Sequence, residues 1–168
     1  MTPNRGNRRR GSSILEFTLV GIPLMFVLIS TFEMARGMWN YHTIAYAVKE
    51  GTRFASVHGS NCATPNTCQV TIAQITRKIV DAGIGLPTDQ LRLTFTSQSG
   101  TISNTATNLL ANPTIWPSSP GNAVGSVIQI DATYPFSSAI SMFWPGAGTG
   151  MNVGTITFPA SSRETVQF

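Results

Sequence analysis

The sequence predicts an α+β protein with a long N-terminal helix that crosses a membrane and continues beyond it, a second short helix, and a small antiparallel sheet of about three strands. Three patterns predict this fold. An apolar run without charge covers residues 17–32. Apolar side chains then recur at helical spacing in two stretches, and three later segments alternate between apolar and polar residues, as half-buried strands do. Helices followed by strands favour a sheet packed on helix.

The apolar run is long enough to cross a membrane when the residues before it are included. Phe17 to Phe32 is 16 residues, or about 24 Å of helix, and starting at Ser12 gives about 32 Å. A bilayer core needs roughly 20 residues. Glu16 then lies at the membrane edge, either as a residue that tilts toward the interface or as a functional carboxylate with a partner. Four arginines precede Gly11 and predict a cytoplasmic N-terminus by the positive-inside bias.

A secretory signal peptide is the competing interpretation of this stretch. Such a peptide has a small-x-small cleavage site after its apolar region. The run here ends in Ser30-Thr31-Phe32-Glu33, which offers no such site, and helical periodicity continues after it. We therefore expect the apolar segment to remain in the protein.

One continuous helix is expected from Ser12 to about Val57, where polar breaker residues follow. Pro23 lies inside it and should bend it, because proline removes one backbone hydrogen bond. Trp39 and Tyr41 fall near the expected membrane interface, where aromatic rings are favoured.

The outer part of this helix and the second helix each have a face suited to packing. Glu50 and Arg53 are spaced as an i,i+3 ion pair, on a different side from a narrow face of small side chains: Ala45, Val48, Thr52 and Ala55. That face is expected to dock mainly on the protein's own sheet. The second helix, over residues 70–82, ends before Gly83 and has an apolar face: Ile72, Ile75, Ile79 and Ala82.

The predicted strands begin near residues 91, 128 and 155. Between the first two lies Ser97 to Ser126, a polar stretch with scattered apolar side chains. A loop of this length is expected to be functional or mobile. A small aromatic patch over residues 139–144 is expected to close the core, lie on the membrane or meet a partner.

Composition argues against several classes of function. Only 11% of residues are charged, and without residues 1–11 the chain has 7 basic and 7 acidic side chains, so charge gives no reason to expect nucleic-acid binding. No phosphate-binding loop, nucleophile motif or metal-spaced set of His and Cys is visible. We therefore predict no catalytic residues, no metal site and no cofactor. Cys62 and Cys68 flank the turn-forming pair Pro65-Asn66, which predicts a disulfide outside the cytoplasm.

The junction between the basic leader and the apolar run resembles the type IV prepilin signal. The residues that carry this resemblance are Gly11, then Glu16-Phe17 at the fifth and sixth places after it, then the apolar helix. The resemblance implies that a prepilin peptidase cuts the Gly11–Ser12 bond and leaves the apolar helix in place. It also implies that Glu16 meets the α-amine of a neighbouring subunit.

Two further motifs look like those of TadE-like proteins, the minor pseudopilins of tight-adherence pili. One is the helix segment Ala45-x-x-x-Lys49-Glu50-Gly51-Thr52-Arg53-Phe54-Ala55, and the other is Tyr134-Pro135-Phe136 at the end of a strand. The resemblance covers the start of the chain well and its end loosely. It implies a pilin-like fold and a structural or assembly role in a pilus.

The predicted organisation is a basic leader over residues 1–11, a transmembrane and extended helix over residues 12–57, and an extracytoplasmic α+β domain over residues 58–168. We expect a single-pass protein of a bacterial inner membrane. The expected partners are prepilin peptidase, other pilins or pseudopilins, the pilus assembly machinery and membrane lipid, but no nucleic acid. The main alternative is an uncleaved, membrane-anchored binding module that holds a ligand in the long loop. An anchored periplasmic enzyme is the third hypothesis.

Overall fold

A computed structural model describes residues 10–62, 68–138 and 155–168 of the chain. Its strands form one antiparallel sheet in the order β2-β1-β3-β4. The α+β prediction is confirmed, with four strands where the sequence predicts about three. In chain order the elements are α1 (Arg10–Ser56), α2 (Ile72–Ala82), β1 (Arg92–Ser97), β2 (Gly100–Thr105), α3 (Ala106–Leu109), β3 (Val127–Ser137) and β4 (Thr155–Thr165).

Helix α1 is one unbroken element of 47 residues that runs through Pro23. At about 1.5 Å per residue it is about 70 Å long. Within the described part of the chain, it is the one helix that is long and apolar enough to cross a membrane. Its outer half packs on α2 and on strands β3 and β4. The predicted leader boundary stays a prediction, because residues 1–9 lie outside the described ranges.

Helix α2 is fixed at its start by a capping box. The Thr71 hydroxyl accepts from the backbone N–H of Gln74 at 3.3 Å, while the Thr71 N–H donates to the Gln74 side chain at 2.9 Å. These two bonds satisfy backbone groups that a helix start leaves unpaired. The predicted apolar face is buried at Ile72, Ile75 and Ile79, and Ala82 at its end is half-buried.

The core lies between the helices and one face of the sheet. Alternate residues of β1 and β3 are buried, as the period-two pattern predicts. Trp116 is 2% exposed and packs edge-on against Phe95, with ring centroids 5.1 Å apart. Aromatic pairs in this geometry contribute beyond their buried area.

The segment predicted as a long loop, residues 97–126, is largely structured. It contains β2 and α3, and it places Leu109 and Trp116 in the core. The backbone N–H of Trp116 donates to the Val70 carbonyl at 2.9 Å, which ties the segment to the start of α2. Scattered apolar residues in a polar stretch did not predict this, because their burial depends on distant elements.

Three side-chain predictions are wrong. Ala45 is exposed, because the buried face of α1 is rotated toward Ile44 and Ala47, although Val48, Thr52 and Ala55 lie on it as predicted. In the described chain, Glu50 and Arg53 do not form the expected ion pair. The strand pattern predicts a buried Ile156, yet its side chain is 58% exposed. The predicted aromatic patch at residues 139–144 and the turn at Pro65-Asn66 lie outside the described ranges.

Candidate functional site along the N-terminal helix

The predicted cleavage and pairing residues all lie at the start of α1. Gly11 and Ser12 are in its first turn, and Glu16 follows one turn later with an exposed side chain. Four residues of helix separate Ser12 from Glu16 by about 6 Å along the axis. The structure therefore brings these three residues onto one helix end, and their roles in cleavage and subunit pairing stay predictions.

Polar side chains within the apolar run bond to the helix itself. Each of three hydroxyls donates to the carbonyl oxygen four residues earlier at 2.7 or 2.8 Å: those of Thr18, Ser30 and Thr31. A hydroxyl buried in lipid without a partner would cost several kcal/mol on a water-to-alkane scale. These bonds make the run compatible with a bilayer despite its hydroxyl groups.

Arg36 joins the helix to the sheet just beyond the apolar run. Its Nη2 atom lies 2.9 Å from Glu33 Oε2 and donates to the Ser137 carbonyl at 2.6 Å. Its guanidinium also lies over the Phe136 ring, 4.5 Å from the centroid. The Arg36 side chain is 49% exposed, so each contact alone contributes little. Sequence reasoning missed this residue, although the Glu33–Arg36 spacing was a usable signal.

The Tyr134-Pro135-Phe136 motif forms the end of the sheet that docks on α1. The rings of Phe136 and Phe158 lie 5.3 Å apart and both lie beside Gly37, where a side chain would begin 3.6 to 3.7 Å from them. Strand β1 pairs with β3 only as far as Thr133. Pro135 therefore lies where β3 has a single neighbouring strand, a position in which a missing N–H is tolerated.

The Glu50-Gly51-Thr52-Arg53 segment packs closely against α2 at Gly51. A Cβ atom on Gly51 would lie 2.3 Å from Cγ1 and 2.7 Å from Cδ1 of Ile79. Thr52 is buried, and its hydroxyl donates to the Val48 carbonyl at 2.8 Å. The small residues of this motif thus serve helix packing. Its charged residues, Glu50 and Arg53, line an open groove together with Lys78 and Asp81 of α2.

Beyond α1, the structure joins Cys62 and Cys68 in a disulfide, with Cα atoms 5.4 Å apart.

His58 lies at the end of α1, where its Nδ1 is 2.6 Å from the Phe54 carbonyl oxygen. This contact occupies one imidazole nitrogen at the helix terminus. No group of three or more His, Cys, Asp or Glu in the described ranges is placed to hold a metal ion.

Residues 11–53 match the family model of TadE-like proteins. The match covers about a quarter of the chain and confirms the resemblance seen in the N-terminal helix. It does not extend to the sheet or to the Tyr134-Pro135-Phe136 motif. No curated protein and no solved structure is significantly similar to the chain. The match to this family of pilus components supports an association with tight-adherence pili.

Proposed function

We propose that this chain, with its TadE-like N-terminal helix, is a minor pilin or pseudopilin that a prepilin peptidase cleaves after Gly11. In this proposal it is a structural or assembly component of a tight-adherence pilus. The bacterial inner membrane holds it by α1, with the N-terminus in the cytoplasm and the sheet outside. The single observation that carries the proposal is the family match, which begins at Gly11 and runs to Arg53.

The geometry of α1 supports both parts of this role. The apolar window of the helix is not covered by the other described residues, so it is open to lipid or to the helices of other subunits. The Gly11–Ser12 bond lies in the first helical turn, where backbone N–H groups have no partner within the helix. A peptidase therefore opens this bond at a small conformational cost.

Cleavage changes the electrostatics at the membrane edge. It gives Ser12 a free α-amine, whose reference pKa is about 7.7–8.0, so that it is mostly charged at neutral pH. Pairing of that amine with Glu16 of a neighbouring subunit offsets the desolvation of both groups and sets the axial register between subunits. Loss of one partner from a buried pair is costly even where the pair adds little net stability.

The alternative of an anchored binding module rests on a free ligand-binding loop at residues 97–126. The structure uses the large apolar side chains of that segment, Leu109 and Trp116, in the core. Ligand binding by this segment therefore has less support than the sequence suggested.

The test is co-expression with a prepilin peptidase, followed by determination of the N-terminal residue. We expect a chain that begins at Ser12, and we expect Gly11→Leu to block processing. Gly21→Leu is the matched control, because it adds the same side chain within the span, away from the junction. An intact Met1 terminus in membranes with active peptidase would count against the proposal.

The same samples test the carboxylate. We expect Glu16→Ala and the isosteric Glu16→Gln to be cleaved and inserted normally but to lose crosslinking to partner pilins. Because Gln keeps the shape of the side chain and removes its charge, a loss in both variants assigns the effect to charge. Normal crosslinking and normal pili in both strains would reduce Glu16 to a residue at the helix edge.

A further inference from the structure

An apolar groove lies between α1 and the end of the sheet. We call it the tip groove. On the helix side its wall runs from Ser30 to His42, and on the sheet side it includes Phe136, Ile156 and Phe158. Its volume is about 610 Å³, and most of its exposed lining surface is apolar, although Ser30, Glu33, His42 and Ser138 also border it.

The helix wall of the tip groove begins inside the apolar run. Ser30 belongs to that run, which ends at Phe32, and Glu33 is the first charged residue after it. From Phe32 to Gly37 the helix rises about 8 Å, and the interfacial layer on each side of a bilayer core is about 5–8 Å thick. The end of the sheet, which packs on Gly37, therefore lies at the depth of the lipid headgroups when Phe32 is at the core boundary.

Side chains around the tip groove have the character of a membrane interface. Ile156 is 58% exposed although its register partner on β3, Phe136, is only 5% exposed. Two apolar side chains of α1 that line the groove are also more than half exposed: Met34 and Met38. A contiguous exposed apolar patch marks an interaction surface. Arg36 lies at the same level, half exposed and paired with Glu33.

We propose that the tip groove is a lipid-binding surface, in which acyl chains and glycerol groups of the adjacent leaflet cover Ile156 and the neighbouring apolar residues of α1. Continuity with the membrane-spanning part of the helix argues for lipid as the occupant, since the groove begins within the uncharged run. The inference rests on the membrane anchoring in the proposed function. The other occupants, a second copy of the chain and residues 139–154, are outcomes of the test.

The experiment places one fluorescent probe on the full chain in nanodiscs that hold a single copy each. The chain has two cysteines, both in the disulfide, so Ile156→Cys supplies one free thiol for an environment-sensitive label. Val27→Cys, in the span and 62% exposed, is the control for anchoring. Val124→Cys, 53% exposed, is the matched control on the head, by which we mean the part of the chain that follows α1. Val124 lies near the far end of α1, because the neighbouring Asn122 carbonyl accepts from the Ser60 N–H.

Each probe is measured with ordinary phosphatidylcholine and with phosphatidylcholine carrying a nitroxide quencher high on the acyl chain. We expect the probes at Ile156 and Val27 to lose emission to the quencher lipid, and the probe at Val124 to keep it. Quenching at Val27 without quenching at Ile156 would overturn the lipid assignment while anchoring stands, and would leave the groove to residues 139–154 or a second copy. Absence of quenching at Val27 would overturn anchoring itself. Equal quenching at Val124 and Ile156 would overturn a contact specific to the tip groove.

Discussion

Replacement of Gly51 by alanine is the sharpest test of how the TadE-like segment acts. Alanine is about 1 kcal/mol more favourable than glycine inside a helix, so propensity alone predicts a more stable protein. The new Cβ would lie 2.3 Å from Ile79 Cγ1, whereas carbon atoms in contact are about 3.5–4.0 Å apart. Ile79 is fully buried, so its side chain or α2 itself must shift by more than about 1 Å to restore that contact distance.

Overpacking of this kind costs about 1–3 kcal/mol, which equals or exceeds the propensity gain. We therefore expect Gly51→Ala to lower the free energy of unfolding by as much as about 2 kcal/mol. Gly37→Ala is the matched control in the same helix, because its Cβ would meet ring carbons at 3.6 Å or more. It should raise the free energy of unfolding by up to about 1 kcal/mol.

The assay is guanidinium unfolding of the full chain in micelles, with Gly51→Ala measured in the native chain and in an Ile79→Ala background. Ile79→Ala removes both clashing carbons and by itself costs about 2–5 kcal/mol. In that background Gly51→Ala should become stabilising, giving a coupling energy of about 1–3 kcal/mol between the two sites. A stabilising Gly51→Ala in both backgrounds would refute the close-packing argument.

Two further predictions concern the head. Cys62 and Cys68 should resist thiol labelling without reductant, and full labelling of both in untreated protein would contradict the disulfide. Replacing both with serine should lower the free energy of unfolding by about 2 kcal/mol in the loop-entropy model. Trp116→Ala should lower the free energy of unfolding by about 3–5 kcal/mol. Trp116→Phe should lower it much less, because the buried indole N–H has no hydrogen-bond partner among the described residues. Trp39→Ala is the control, because Trp39 is 66% exposed. An equal loss of unfolding free energy in that variant would contradict the assignment of Trp116 to the core.

Elements with a strong local pattern were predictable from the sequence. Helix α2 combines an apolar face with a stop at Gly83, and β1 and β3 each alternate between buried and more exposed residues. These patterns arise within one element, so one sequence is enough to see them. The start of α1 was predictable for the same reason, since a membrane imposes its own length and polarity on a helix.

What failed depends on contacts between distant elements. Strand β2 is an edge strand whose residues are all at least partly exposed, so it has no alternation to recognise. The burial of Trp116 depends on its contact with Phe95. The close approach at Gly51 appears only when α2 is in place. The exposure of Ile156 reflects its position at the end of the sheet, which a strand pattern does not encode.

The unbroken helix α1 fixes the rotational phase between its apolar half and the sheet. Each residue turns the helix by about 100°, so Ser30, two turns before Gly37, lies on the side that carries the sheet, and both border the tip groove. A neighbouring subunit that follows α1 along its whole length must therefore use the side that the sheet leaves open. Deleting one residue between Phe32 and Arg36 would turn the head by about 100° relative to the membrane span. Inserting seven residues there instead would keep the native orientation within about 20° and move the head about 10 Å farther from the span.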